Sequence, residues 1–294
     1  MKFVVGDGQE GRTVREFLKL MGFSERALRR LKREGKIFLN GQHVGSRAEV
    51  KSGDEVAVDL SEESNIEPSP VPLDILYEDD HIIVLNKQPG VVVHPAPFCP
   101  DGTIANGVVH YLKQKGKRTG FHPVNRLDRD TSGVLVIALN QYMHGFLQAR
   151  GCIEKLYIAI VEGSVKAEQG VIDEKIGRKA GSLIEREVSG DGKKAVTYFR
   201  VLKRLKDHTV LEVSPLTGRT HQIRVHLSHL GYPIAGDTLY GGKRDKIGRQ
   251  ALHCAQMSFF HPVRGTRVTL KAPLPSDMCA LMEEAGSLDK EGVK

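Results

Sequence analysis

The sequence has few cysteines and no long apolar run. Its four cysteines, at positions 99, 152, 254 and 279, lie far apart without a Cys-x-x-Cys pair, so neither a zinc site nor a disulfide framework is predicted. No run of eighteen apolar residues occurs, and the first residues lack the apolar core of a signal peptide. We therefore expect a cytoplasmic protein that binds neither a membrane nor a metal.

Basic residues are missing from residues 61–80, which hold seven acids. Over the whole 294-residue chain, 43 Lys and Arg against 36 Asp and Glu give a net charge of +7. A basic body interrupted by an acidic segment points to a polyanionic partner. Three prolines and three glutamates in 61–72 predict an extended linker with some freedom to move. We expect a small module at 1–60, a large domain at 73–285 and a polar tail at 286–294.

In the first module, a helix is predicted between the N-cap Ser24 and Gly35. Leu28 and Leu31 face inward, and arginines recur on the other side at a spacing that suits phosphate groups, although a solvated face is the alternative. The arginines are Arg26, Arg29, Arg30 and Arg33. The Gly-x-Gly-x-x-Gly at 6–11 is not taken as a dinucleotide site, because a second helix follows where that fold needs a parallel strand.

A dense polar stretch at 122–133 runs directly into six apolar residues, 134–139, which predict a buried strand. If the stretch is extended, Arg126 and Asp128 share one face and Leu127 anchors the other. Asp128 would then be a fixed, ionised carboxylate, which is a nucleophile or a base. A surface ion pair closing a turn is the alternative, and for an arbitrary Arg-x-Asp it is the commoner case.

Two later segments add candidate groups. Lys155, Tyr157 and Ala159 share one face of a predicted strand. Residues 220–230 have helical periodicity, with Thr220 as the expected cap. The histidines of that helix lack the His-x-x-x-His spacing of a zinc site.

Five segments, in order, resemble the RluA family of pseudouridine synthases: YEDDHIIVLNK, RLDRDTSGVLVIAL, KLYIAIVEG, TGRTHQIRVHLSHLGYPIAGDTLYG and ALHCAQMSFFHP. The first module, with GKIFLNGQHV and GDEVAVDL, resembles the αL RNA-binding module of a small-subunit ribosomal protein. The resemblance implies an α+β protein with a mixed, mainly antiparallel central sheet flanked by helices and loops, preceded by a small α/β RNA-binding module. It implies isomerisation of uridine to pseudouridine in RNA, with no cofactor, by a chain that we expect to be monomeric.

The resemblance also implies roles for single residues. Asp128 matches the essential aspartate, Arg224 its basic partner, and Tyr157 the aromatic residue that stacks on the target base and assists removal of the C5 proton. Arg126 matches the side chain that replaces a flipped uridine in the duplex, and Met257 an aliphatic residue against the base. Two departures stand out: Asn125 where the family often has histidine, and Lys-Gln-Pro-Gly at 87–90 where Lys-Pro-x-Gly is usual.

Three other functions can be compared with this one. A retaining glycosidase would need carboxylates that flank a sugar independently, and Asp128 and Asp130 are too close in sequence. A zinc nucleobase deaminase needs His-x-Glu and Pro-Cys-x-x-Cys, and neither occurs. A non-catalytic RNA-binding or ribosome-assembly protein that keeps the fold remains as the alternative. The sequence leaves open which RNA is modified and whether Asp128 attacks ribose C1′ or uracil C6.

Overall fold

The computed structural model describes residues 1–118, 120–149 and 153–286. Its N-terminal unit is a four-stranded antiparallel sheet with two short helices; the strands β1 (Lys2–Val4), β2 (Ile37–Leu39), β3 (Gln42–His43) and β4 (Glu55–Val58) lie in the order β1-β4-β2-β3. Thr13 and Ser24 cap the helices through side-chain oxygens, and Leu28 and Leu31 are buried as predicted. The helices are α1 (Val14–Leu20) and α2 (Glu25–Arg33).

The larger unit is built on a ten-stranded sheet in which all pairs are antiparallel except one between β8 and β15. The predicted α+β class with a mixed, mainly antiparallel sheet is confirmed. The first half contains β5 (Ile75–Glu78), β6 (Ile82–Lys87), α3 (Ile104–Gln114), β7 (His122–Pro123), β8 (Ser132–Ala138), α4 (Gln141–Ala149) and β9 (Glu154–Glu162). The second half contains β10 (Gln169–Asp173), β11 (Ile176–Arg178), β12 (Arg186–Val188), β13 (Val196–Arg204), β14 (His208–Pro215), α5 (Gln222–His229), a 3-10 helix (Thr238–Tyr240), β15 (Leu252–His261), β16 (Thr266–Lys271) and α6 (Ser276–Glu284).

Strand β8 lies in the middle of the sheet, and all seven of its residues are buried. It is paired with β6 along one edge, and along the other edge with β15 at its first residues and with β7 at its last residues. Gly133 has φ 110°, and a Cβ there would collide with the backbone of Cys254, so β8 and β15 can meet this closely only at glycine. The loop that precedes β8 is therefore attached to a fully buried strand that is paired along both edges.

Some expectations need correction. The Pro89-Gly90 pair predicts a turn followed by a strand, but residues 91–95 form an irregular segment. Helix α5 is preceded by His221 as N-cap, with no side-chain capping bond, rather than by Thr220. Residues 287–294 of the predicted tail and Cys152 lie outside the described residues.

The linker makes side-chain contacts with both units. Oxygen atoms of Glu62 accept hydrogen bonds from the Arg30 guanidinium at 2.7 Å and from the Gln141 backbone N–H at 3.0 Å, and the His122 Nε2 lies 2.8 Å from the second oxygen. Burial would raise the pKa of Glu62, but these partners lower it to about 2. The Tyr142 ring of α4 stacks on Phe23 of the first unit at 4.1 Å. The linker and α4 thus both contact the first unit in this structure.

Candidate active site

Asn125, at the start of the loop between β7 and β8, is fixed to β8 by hydrogen bonds. Its side-chain Nδ2 donates to the Val134 carbonyl at 3.0 Å, and its Oδ1 accepts from the Val136 N–H at 2.9 Å. The backbone N–H of Val124 also donates to the Val136 carbonyl, at 2.8 Å. The buried amide thus satisfies two backbone groups of β8 where the chain leaves the sheet. This explains how asparagine can serve at a position where the family often has histidine.

Beyond Asn125 the side chains alternate as predicted: Arg126 is exposed, Leu127 is buried, and Asp128 is partly buried with 29% of its side chain exposed. The far end of the loop is fixed by Lys87, whose Nζ donates to the Arg129 carbonyl at 2.8 Å. The same nitrogen donates to two more carbonyls, those of Gln88 and Val91. Burial lowers the pKa of Lys87 to about 7. Asp128 is thus carried by a loop that is tied down on both sides.

Arg224 of α5 joins two carboxylates. Its Nη1 donates to Asp128 Oδ2 at 3.0 Å, while Nε and Nη2 bind Asp237 at 2.6 and 2.8 Å. Asp237 is 1% exposed and Arg224 8% exposed, so this bidentate pair lies inside the protein. Burial alone would lower the pKa of Arg224, but Asp237 and then Asp128 raise it. The guanidinium is therefore a permanent, oriented cation beside Asp128.

Tyr157 of β9 lies in the wall of the same site and is buried. Burial first, and then the neighbouring Cys254 and Asp128, raise the pKa of Tyr157 well above its usual value, so the side chain stays a neutral phenol. Lys155, two residues earlier, lies on the same face and also lines the site, and burial lowers its pKa. The predicted shared face of this strand is thus found in the structure.

These groups line one cavity of about 430 Å³, within the usual range of about 300–1,000 Å³ for ligand pockets. Arg126, Asp128, Tyr157 and Arg224 all contribute to it. A larger cavity of about 840 Å³ lies beside the linker, but its lining shares no residue with this group. Among the described residues, no group of three or more His, Cys, Asp or Glu side chains could hold a metal ion.

Two predicted binding residues are placed differently. Met257 is fully buried in β15 and does not line the cavity, whose apolar lining includes Leu252 and Ile223. The side chain of Arg30 is only 20% exposed and is engaged by Glu62, so it is not free to bind phosphate. Met257 is unavailable to RNA because it is buried, and Arg30 because it is partly buried and paired with Glu62; helical or strand spacing in the sequence could not reveal either.

The other three arginines of α2, which we call the arginine row, keep exposed side chains on the surface of the first unit. They are Arg26, Arg29 and Arg33.

Four residues of the site were not singled out from the sequence as parts of it: Lys87, Lys155, His221 and Asp237. For Lys155 a signal existed, because it shares a strand face with Tyr157. His221 lies three residues before Arg224, one turn away on the predicted helix. Lys87 and Asp237 lie inside the segments that carry the family resemblance, but their contacts, with Arg129 and Arg224, follow no helical or strand spacing that the sequence could show.

Comparison with known proteins gives a consistent result. A family model described as RNA pseudouridylate synthase matches residues 81–229. The chain is 45% identical over 278 residues to the uncharacterized RNA pseudouridine synthase YjbO of Bacillus subtilis, covering 92% of this chain and 98% of that one. It is 39% identical to ribosomal large subunit pseudouridine synthase D of Xylella fastidiosa, covering 95% and 90% of the two chains.

Among solved structures, human RNA pseudouridylate synthase domain containing 1 superposes with a TM-score of 0.59 at 28% identity, covering 70% of this chain and 86% of that one. The five motifs, the fold that they build and the cavity that they line all lead to the same assignment. The chain belongs to the RNA pseudouridylate synthase family, as its resemblance to the RluA family predicted, and is an enzyme that forms pseudouridine in RNA.

Proposed function

We propose that this enzyme modifies uridines of large-subunit ribosomal RNA. Support comes from relatives named ribosomal large subunit pseudouridine synthase D, one of which aligns over 95% of this chain. Transfer RNA is the second candidate, because a flipped uridine offers the same groups in either RNA. We place the reaction in the cytoplasm with the ribosome. One chain supplies Asp128, Tyr157 and Arg224 to a single cavity, which supports a monomer as the working unit.

Asp128 is the proposed nucleophile, and the observation that carries this role is its 3.0 Å ion pair with Arg224 in the cavity. The reaction breaks the bond between uracil N1 and ribose C1′, rotates the base and joins C5 to C1′. C5 loses a proton, and N1 gains one. Arg224 holds Oδ2, whereas Oδ1 has no hydrogen-bond partner among the described residues, so it can attack C1′ or C6.

Tyr157 is proposed to stack on the uracil and to assist removal of the C5 proton. Because its pKa is raised, the hydroxyl would act as a hydrogen-bonded relay and not as a standing phenolate base. Tyr157→Phe keeps the ring, so we expect RNA binding to persist and turnover to fall. Wild-type turnover would exclude a role of the hydroxyl in proton transfer.

RNA would reach this cavity by base flipping, because C1′ and C6 of a stacked uridine are shielded. Arg126 is exposed at the cavity and is proposed to fill the space that the flipped base leaves in the duplex. The unit at 1–60 is proposed as an RNA-binding domain that contacts the backbone through the arginine row. The segment 61–72 connects it to the catalytic domain at 73–285, and 286–294 is the proposed tail.

The experiment that tests the substrate is a map of pseudouridines in cellular RNA with and without this protein. We expect one or more positions of large-subunit ribosomal RNA to lose pseudouridine in its absence and to regain it when purified enzyme is added. Loss confined to transfer RNA would replace the proposed substrate, while leaving the chemistry at Asp128 unchanged.

A further inference from the structure

His221 has an unusual backbone conformation at the edge of the cavity. Its φ is 56° and its ψ 19°, and Asn40 is the only other non-glycine with positive φ among the described residues. Positive φ is uncommon for non-glycine residues, although histidine adopts it more often than most of them, and such conformations concentrate at functional sites. His221 makes no side-chain capping bond to α5, so capping does not account for its conformation.

The imidazole of His221 lies between the hydroxyl group of Tyr240 and the carboxylate of Asp128. The backbone N–H of Arg186 in β12 donates to the Tyr240 hydroxyl oxygen at 3.0 Å, and that oxygen lies 2.7 Å from His221 Nδ1. On the other side of the ring, His221 Nε2 lies 3.8 Å from Asp128 Oδ2. That distance is too long for a hydrogen bond, but catalytic contacts of this kind often shorten when substrate binds.

Burial of the ring lowers the pKa of His221 and so favours its neutral form. Burial is the largest influence on this pKa. The carboxylates of Asp128 and Asp237 raise the pKa of His221, whereas the guanidinium groups of Arg224 and Arg186 lower it, and the net shift is downward. The neutral ring carries one N–H. With the Tyr240 hydroxyl donating to Nδ1, the proton sits on Nε2 and points at the carboxylate; the other tautomer would set a lone pair against it.

We propose that His221 is a positioning residue that holds Asp128 Oδ2 together with Arg224, so that Oδ1 is the oxygen that reacts. This inference rests on the proposed role of Asp128 as nucleophile. Both groups approach the same oxygen from the start of α5, Arg224 Nη1 at 3.0 Å and His221 Nε2 at 3.8 Å. Two contacts on one oxygen fix the rotation of the carboxylate, which a single contact would leave free. Tyr240 acts through His221 by fixing its tautomer.

The test uses His221→Asn, which tolerates left-handed backbone but cannot span the gap, and Tyr240→Phe, which keeps the ring that packs 4.9 Å from the Arg224 guanidinium. The double variant, wild type and Asp128→Asn are measured in parallel. His229→Asn, at an exposed position at the end of the same helix, is the matched control. The substrate is total RNA from cells lacking the protein, labelled with tritium at uridine C5, which is released when C5 forms the new bond.

We expect His221→Asn and Tyr240→Phe each to lower the single-turnover rate about tenfold, the effect of one hydrogen bond to a charged group, with RNA affinity within about twofold of wild type. The double variant should be no slower than the slower single variant, because both changes act through the same contact between His221 and Asp128. The control should react at the wild-type rate.

Wild-type rates for His221→Asn, a loss of RNA affinity in place of rate, or losses that multiply in the double variant would overturn the proposal. Turnover by Asp128→Asn would instead refute the nucleophile itself. Inactive Asp128→Asn with fully active His221→Asn would leave the nucleophile in place and remove only the positioning role.

Discussion

Replacing Asp237 with asparagine is the sharpest test of how Arg224 is held. The change keeps the shape but turns one carboxylate oxygen into an NH₂ group that faces the guanidinium, and it removes the charge. The change affects the two hydrogen bonds, of 2.6 and 2.8 Å, between Asp237 and Arg224, whose side chains are 1% and 8% exposed. Breaking one side of a buried pair costs about 3–5 kcal/mol. At about 2–4 °C per kcal/mol, the melting temperature should fall by roughly 6–20 °C.

The chain supplies a matched control in Asp277. It binds Arg249 with the same bidentate geometry, at 2.7 and 2.9 Å, but its side chain is 39% exposed. We expect Asp277→Asn to cost about 1 kcal/mol or less, because solvent replaces the lost partner. Thermal unfolding followed by circular dichroism measures both variants, and tritium release measures activity. Equal stability of Asp237→Asn and Asp277→Asn would refute the argument from burial, and full activity of Asp237→Asn would show that Arg224 needs no anchor.

Three further changes test other parts of the account. Asn125→Ala leaves two buried backbone groups of β8 without their side-chain partner, so we expect the free energy of unfolding, measured by chemical denaturation, to fall by about 2–4 kcal/mol. Asn65→Ala, at an exposed position, should leave the free energy of unfolding unchanged, and an equal loss there would contradict this argument. Glu62→Gln should make the linker more susceptible to proteolysis at pH 7, whereas exposed Glu63→Gln should not. Because the pKa of Glu62 is lowered to about 2, the difference in proteolysis rate between Glu62→Gln and wild type should shrink as the pH falls below about 4.5. A difference that stays constant with pH would show that the charge of Glu62 does not hold the linker. Neutralising the arginine row should reduce the salt dependence of RNA affinity, and an unchanged slope would remove α2 from the interface.

The sequence predicted those parts of the fold that depend on local patterns. The continuous apolar run at 134–139 predicts a strand buried on both faces, the alternation at 126–128 follows the period of two of an extended chain, and both are found in the structure. The capped helix α2 follows from Ser24 and from its leucine spacing. Such features depend on residues close together in the chain, and burial of one face is enough to select them.

What could not be predicted depends on contacts between distant segments. Asp237 and Asp128 are 109 positions apart, and only the packing of α5 brings Arg224 between them. Arg30 shows the same limit: its helical spacing matched that of a phosphate-binding row, but Glu62 from the linker occupies it. Met257 was expected to contact the base, but it does not line the cavity. The pairing of β15 with β9 is irregular between Cys254 and Gln256, just before Met257, and the sequence does not reveal this irregularity.

The central claim, that Asp128 is the nucleophile, is tested most directly by Asp128→Asn with tritium release and RNA binding measured on the same preparation. Asparagine has the same shape but no carboxylate, and Asp130→Asn, two residues away beside Arg129, is the matched control. We predict no detectable release from Asp128→Asn, RNA affinity within about twofold of wild type, and a control that reacts within about threefold of the wild-type rate. Measurable release from Asp128→Asn would contradict the account.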